Sequence, residues 1–286
     1  MTAVAMPPAL AHARSLLFVP ADRPERHAKA LASGADAVII DLEDAVGPDG
    51  KAAARNALRQ SFASLPVADR TRLLVRINGE GTPWFDDDLA LATDLAAQGL
   101  GGLVVPKVEG PAVLATLAAA CPGTALLPQT ESGAGLDALD TIARAPGVLR
   151  LCLGHLDLQV DLGISCGPDE SEIAPARWEL VRASRRHGLP PPVDSVTTDT
   201  QDTTATASDS ARALRQGFGG KLCIHPRQVA VVHAAFTPTA ERQDWARRVL
   251  AAAAAAGGAA CTVDGRMVDA PVIAAARRLL ARAAPA

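Results

Sequence analysis

The chain has 286 residues, 49% of them hydrophobic, enough to enclose a sizeable core as one large domain or two smaller ones. Its formal net charge of −3 gives no electrostatic pull toward nucleic acid, and the lack of tyrosine, with only 3% aromatics, argues against platforms for stacking bases. Five scattered cysteines (Cys121, Cys152, Cys166, Cys223, Cys261) form no C-x-x-C pair and fit reduced thiols in a cytoplasmic protein.

Residues 1–13 lack the basic region and apolar core of a secretory signal and read as a loose tail. No apolar run is long enough to span a bilayer. From there, short apolar runs recur at 15–20, 37–42, 73–77, 102–106, 125–128, 149–153, 192–196 and 221–224. Most are continuously apolar, the pattern of strands buried on both faces. Between them stand alanine-rich amphipathic stretches at 24–33, 51–64, 86–98, 111–120 and 174–187. Pro24, Pro111 and Pro175 fall where a first helical turn starts, and Gly34, Gly99 and Gly188 where helices stop. Strand–helix alternation repeated eight times predicts an α/β fold, a (β/α)8 TIM barrel over 14–236. The alternative, a doubly wound sheet, lacks a G-x-G-x-x-G after its first strand. The polar run 197–210 reads as a surface loop. The remainder, 237–286, differs: a helix at 239–256 ended by Gly257-Gly258, a hairpin around Asp264-Gly265, and a helix at 271–284. This helix–hairpin–helix extension is too small to stand alone and is expected to pack on the barrel or a neighbouring subunit.

Barrel active sites lie at the C-terminal ends of the strands. The residues there are Asp41-Leu-Glu-Asp44, Arg76-Ile-Asn78, Lys107 and Glu109, Glu131, His155 and Asp157, Asp194, and His225. An acid-rich rim with an arginine suits Mg²⁺ and an anionic substrate. Mg²⁺ keeps several waters and takes one or two protein carboxylates; Glu131 and Asp157 are the candidates. Arg76 would clamp a substrate carboxylate with its two-pronged donors, and Glu43 and Asp44 would hold water on the metal. Taken singly, Asp41, Asp44 and Asp194 read as well as helix caps, and Arg76 as an ion-pair partner. His155 reads as a rim residue, because Mg²⁺ prefers oxygen, and His225 equally as the start of a helix. The joint placement carries the signal.

Arg14-Ser-Leu-Leu-Phe-Val-Pro20, Gly34-Ala-Asp-Ala-Val-Ile-Ile-Asp-Leu-Glu-Asp-Ala-Val46, Val75-Arg-Ile-Asn78, Val105-Pro-Lys-Val-Glu109, Glu131-Ser132, Gly217-Phe-Gly-Gly-Lys-Leu-Cys-Ile-His-Pro226 and Asp264-Gly-Arg-Met-Val-Asp-Ala-Pro271 stand in that order. Together they resemble the citrate lyase β-subunit-like (CitE-like) branch of the HpcH/HpaI aldolase family, which includes malyl-CoA and citramalyl-CoA lyases. The resemblance implies a TIM barrel, usually in a homotrimer, with Mg²⁺ at Glu131 and Asp157 and substrate on Arg76. It also implies that Asp269 reaches a neighbouring subunit's site as acid/base. Phe18, Lys29, Ile224 and His225 match positions lining the CoA-thioester site, with Arg23 and Arg26 nearby. Departures are Ser132 where threonine is common, and Leu153-Gly-His-Leu-Asp157, which adds an imidazole beside the site. The implied reaction is reversible cleavage of a malyl-, citramalyl- or citryl-CoA-like β-hydroxyacyl-CoA into a 2-oxo acid and an acyl-CoA. Alternatives are a citrate lyase β subunit acting on an acyl-carrier thioester, an aldolase on free 2-oxo acids, a malyl-CoA thioesterase, and a non-catalytic metabolite-binding barrel.

Overall fold

Every apolar run of the first 224 residues supplies a strand. In the computed structural model, which describes residues 8–257 and 259–283, these are β1 (Ser15–Pro20), β2 (Ala37–Asp41), β3 (Leu73–Arg76), β4 (Gly102–Val105), β5 (Ala125–Thr130), β6 (Cys152–Leu153), β7 (Val193–Asp194) and β8 (Gly220–Cys223). They pair in sequence order, all parallel, and β8 returns to β1 through Ser15↔Lys221, Leu16↔Leu222 and Leu17↔Cys223. The result is a closed (β/α)8 barrel, so the doubly wound alternative is set aside. Residues 1–7 of the opening tail, Gly258 and Ala284 lie outside the described residues.

Side chains alternate along a strand, so one parity of each run fills the barrel and the other faces the helices. Leu16, Ala37, Ile39, Leu74, Val104, Ala125, Leu127, Cys152, Val193 and Leu222 form one buried cluster. Their neighbours Leu17, Val38, Ile40, Val75, Leu103 and Leu126 are buried as well. That double burial is why the runs are continuously apolar. Arg150, two residues before Cys152, has the interior parity and closes the N-terminal end. It is fully buried and donates to the carbonyls of Leu10, Ala13 and Pro191 at 2.7–3.2 Å. Burial without an acidic partner in hydrogen-bond contact lowers its pKa to about 10.

The helices at Pro24–Leu31, Lys51–Ala63, Phe85–Ala96, Ala112–Ala120 and Ala174–Arg186 follow the predicted stretches. Gly34, Gly99 and Gly188 carry φ of +82°, +95° and +69°, the left-handed geometry that ends helices. The predicted loop at 197–210 is corrected: Thr203–Gln216 is a helix, capped by Asp202, whose carboxylate accepts the Thr204 N–H. Its buried positions Thr206, Asp209, Ser210 and Ala213 keep i, i+3, i+4, i+7 spacing. Small and polar residues fill them, so the sequence shows no hydrophobic period.

The chain divides into two compact units, Met1–Val232 and His233–Ala286. In the second, the helix Ala240–Ala255, the hairpin of β9 (Cys261–Val263) and β10 (Arg266–Val268), and the helix Ala270–Ala283 enclose Ala246, Val249, Val268, Ala276 and Leu279. Asp264 and Gly265 both have positive φ, 51° and 74°, as a two-residue hairpin turn demands.

Candidate active site

The interior parity runs past the strand ends and delivers the polar residues. Asp41 follows Ile39 by two, Arg76 follows Leu74, Gln129 and Glu131 follow Leu127, Gly154 follows Cys152, Ser195 follows Val193 and Ile224 follows Leu222. All of these line one cavity of about 360 Å³ at the C-terminal mouth, with Phe18, Asp44, Leu156 and Asp157. That volume suits a small organic ligand.

Arg76 is held before any ligand arrives. Its Nε and Nη2 each donate to the Asp41 carboxylate at 2.7 Å, and Nη1 lies 3.0 Å from Glu43 Oε2. The guanidinium stacks 4.7 Å from the Phe18 ring centre. Burial opposes its charge, but Asp41, Glu43 and Asp44 outweigh burial and raise its pKa. The Nε/Nη2 fork expected to meet a substrate grips Asp41 instead, which leaves only the remaining N–H bonds of Nη1 and Nη2 open to another anion. Asp41 also accepts the backbone N–H of Glu43 and Ala45, which fixes the turn after β2. From below, the buried Lys51 ammonium donates to the carbonyls of Leu42 and Glu43 at 2.7 Å and to Asn78 at 2.8 Å.

Glu131 is 4% exposed. Its Oε2 accepts the Lys107 backbone N–H at 2.8 Å and its Oε1 accepts Gln129 Nε2 at 3.1 Å. Lys107 has φ of +52°, a left-handed turn that aims its N–H at the carboxylate. Its ammonium reaches Glu43 at 2.7 Å and Asp157 at 3.8 Å. Burial first, then the charges of Glu43 and Asp157, push the Glu131 carboxyl up to about 8. Asp41, Glu43, Asp44, Glu131 and Asp157 thus crowd around two cations, Arg76 and Lys107.

Among the described residues no three His, Cys, Asp or Glu side chains converge as a closed metal cage. The donor set does fit a hard divalent cation that retains water: oxygen donors only, excess negative charge, and a buried Gln129 amide Oε1 with no hydrogen-bond partner.

Phe18, Asp44, Arg76, Glu131, Asp157 and Ile224 therefore share one cavity, and Glu43 stands beside it on Arg76 and Lys107. Lys29 is exposed on its helix, and neither it nor His225 belongs to the cavity wall. Asp269 lies in the second unit, half-buried, where its carboxylate accepts the Val272 N–H at the start of the last helix. His155, read as a rim residue, is instead buried at 5% exposure. Its ring and backbone turn inward onto Ser195. Gln129 and Ser195 were missed, although counting by twos from Leu127 and Val193 finds both. The work of Lys51 and the aim of the Lys107 N–H have no signal in the sequence.

The profile of the HpcH/HpaI aldolase/citrate lyase family matches residues 14–226. A citrate lyase subunit beta-like protein of Deinococcus radiodurans is 38% identical, covering 97% of this chain and 99% of that protein. A (3S)-malyl-CoA thioesterase of Cereibacter sphaeroides is 33% identical over 94% of both chains. The crystal structure of CitE from Mycobacterium tuberculosis in complex with magnesium, acetoacetate and coenzyme A superposes with a TM-score of 0.82 at 36% identity, covering 96% of this chain and 99% of that one. With a closed eight-stranded barrel, an acidic mouth and matches along nearly its whole length, the chain belongs to the HpcH/HpaI aldolase/citrate lyase family.

Proposed function

We propose that the protein is a Mg²⁺-dependent carbon–carbon lyase that reversibly cleaves a β-hydroxyacyl-CoA into a 2-oxo acid and an acyl-CoA. The observation that carries this reading is the convergence of Glu131, Asp157 and a pre-anchored Arg76 on one cavity. The magnesium, acetoacetate and coenzyme A bound by the Mycobacterium tuberculosis relative support it. So do magnesium and oxaloacetate in another structure from that organism.

Glu131 and Asp157 would hold the metal, and Gln129 Oε1 faces the same space. Bound Mg²⁺ supplies Lewis acidity toward the oxygen on which charge develops. Arg76, fixed by Asp41, takes the substrate carboxylate on its free N–H bonds and orients the bond to be broken. Glu43 and Asp44 order water at the acidic side. Phe18 and Ile224 give an apolar wall to the thioester arm. Asp269, supplied by a neighbouring copy in a homotrimer, takes the hydroxyl proton. The electrons of the breaking bond pass to the thioester α-carbon, and Asp269 returns the proton there. The 237–286 extension then has a catalytic purpose, and the site is expected to work in the cytoplasm.

The test offers malyl-, citramalyl- and citryl-CoA to the purified protein with Mg²⁺ and traps the 2-oxo acid with phenylhydrazine. Metal-dependent release, lost with EDTA and in Glu131→Ala, is the expected result. The 33% identity to (3S)-malyl-CoA thioesterases favours a second reading, hydrolysis of the thioester. Free malate with coenzyme A and no glyoxylate would select it over lysis.

A further inference from the structure

We propose that Ser195 and His155 form a clamp that sets the first turn of the helix His155–Leu162, and with it the place of the Asp157 carboxylate on the cavity wall. The inference rests on reading Glu131 and Asp157 as the divalent-cation pair.

Asp157 has little to hold it directly. Its side chain is 43% exposed, and Lys107 Nζ at 3.8 Å is its nearest charged partner. Its position therefore follows from the helix that carries it. The residue at the cap position before that helix is Gly154, which has no side chain to cap it. The open N–H of His155 is instead taken by Ser195 Oγ, just past the end of β7, at 3.1 Å. The same hydroxyl also meets the ring Nδ1 of His155, so backbone and ring close on one atom.

The clamp is braced from behind. His155 Nε2 lies 3.6 Å from Glu170 Oε1. Glu170 is bound by Arg177 and, at 2.8 Å, by Arg212. Arg177 donates to Asp194 at 3.0 Å, and Asp194 precedes Ser195 in the chain. Ser195, His155, Glu170, Arg177 and Asp194 thus form a closed ring of contacts. On the other side of the Gly154–His155 step, Glu131 packs so closely that a Cβ on Gly154 would fall 2.2 Å from its Oε1. One peptide step therefore joins the supports of both acids.

The test titrates the full-length protein with Mn²⁺, read by its electron paramagnetic resonance signal, with Mg²⁺ as competitor. Groups that orient metal ligands typically change affinity by about 10–100-fold when removed. Ser195→Ala is expected to weaken Mn²⁺ binding roughly tenfold with little change in the metal-free thermal midpoint. Ser195→Thr, which keeps the hydroxyl, is expected to restore it. Wild-type affinity in Ser195→Ala, while Glu131→Gln loses the metal, overturns the clamp and leaves the functional reading standing. No Mn²⁺ binding by the wild type overturns both. If Ser195→Ala does not fold, His155→Leu decides: several-fold weaker binding supports the clamp, and unchanged binding overturns it.

Discussion

Gly154 sits where chemistry and packing meet at a single atom. A Cβ there would lie 2.2 Å from Glu131 Oε1 and 2.4 Å from its Cγ, closer than any real contact, so the carboxylate would have to leave. Gly154→Ala is expected to cost at least tenfold in divalent-cation affinity and about 100-fold in turnover while the barrel still folds; Mn²⁺ titration and circular dichroism check the two halves. Asp41 makes a different case, because all its acceptor capacity is used: two Arg76 donors and two backbone N–H groups. In Asp41→Asn an amide NH2 would face one of those donors. Arg76 then loses its orientation, and kcat/KM should fall by roughly two orders of magnitude, mostly in kcat. An unchanged kcat would show that Arg76 orients itself. That Glu131, Asp157 and Arg76 would share the barrel mouth was legible in the sequence, because each lies at or just past the end of a buried run. The contacts that tune them were not: Lys107 acts on Glu131 through a backbone N–H in a left-handed turn, which no side-chain pattern reports.

At the scale of the elements, burial decides what a sequence reveals. The strands announce themselves because both faces are covered, so runs such as 37–40 are apolar without interruption. The helix Thr203–Gln216 was hidden because the face it buries is Thr206, Asp209 and Ser210, satisfied by local polar contacts. Ser210 Oγ donates to the Thr206 carbonyl at 2.6 Å, and Asp209 accepts the Thr197 hydroxyl at 2.6 Å. With little apolar area on that face, its first turn depends on the cap. Asp202→Ala removes the carboxylate that accepts the Thr204 N–H at 2.7 Å. The expected loss is about 1 kcal/mol, read from the urea midpoint. Loss of protection at the first turn of this helix in hydrogen exchange would accompany it. The hairpin in the second unit was legible for the opposite reason: Asp264-Gly265 is the turn chemistry itself, with no need of a core to declare it.

For the molecule as a whole, the barrel's stability carries a pH dependence set by the groups it buries. His27 is 1% exposed, with its ring nitrogens against Ser61 Oγ at 3.0 Å and the Pro20 carbonyl at 3.3 Å. Burial lowers its pKa; the Pro20 carbonyl and Glu25 only partly oppose that. In the unfolded chain the ring titrates near its ordinary value of about 6.5. The unfolded state therefore binds the proton first. The contribution of His27 is fully present above about pH 6.5 and is lost as pH falls toward its folded pKa. His155, also lowered by burial, acts in the same direction. Glu131 acts in the other: its carboxyl, pushed up to about 8, favours the folded metal-free protein as pH falls from 8 toward the ordinary carboxylate range. The wild-type profile mixes these opposed slopes, so the difference between variants isolates each one. Urea unfolding of the metal-free protein at pH 7.5 and pH 5.5 should show His27→Gln losing less stability, or gaining more, than the wild type over that interval. Parallel profiles would mean that the His27 ring takes up its proton alike in the folded and unfolded states, and that its burial sets none of the pH dependence.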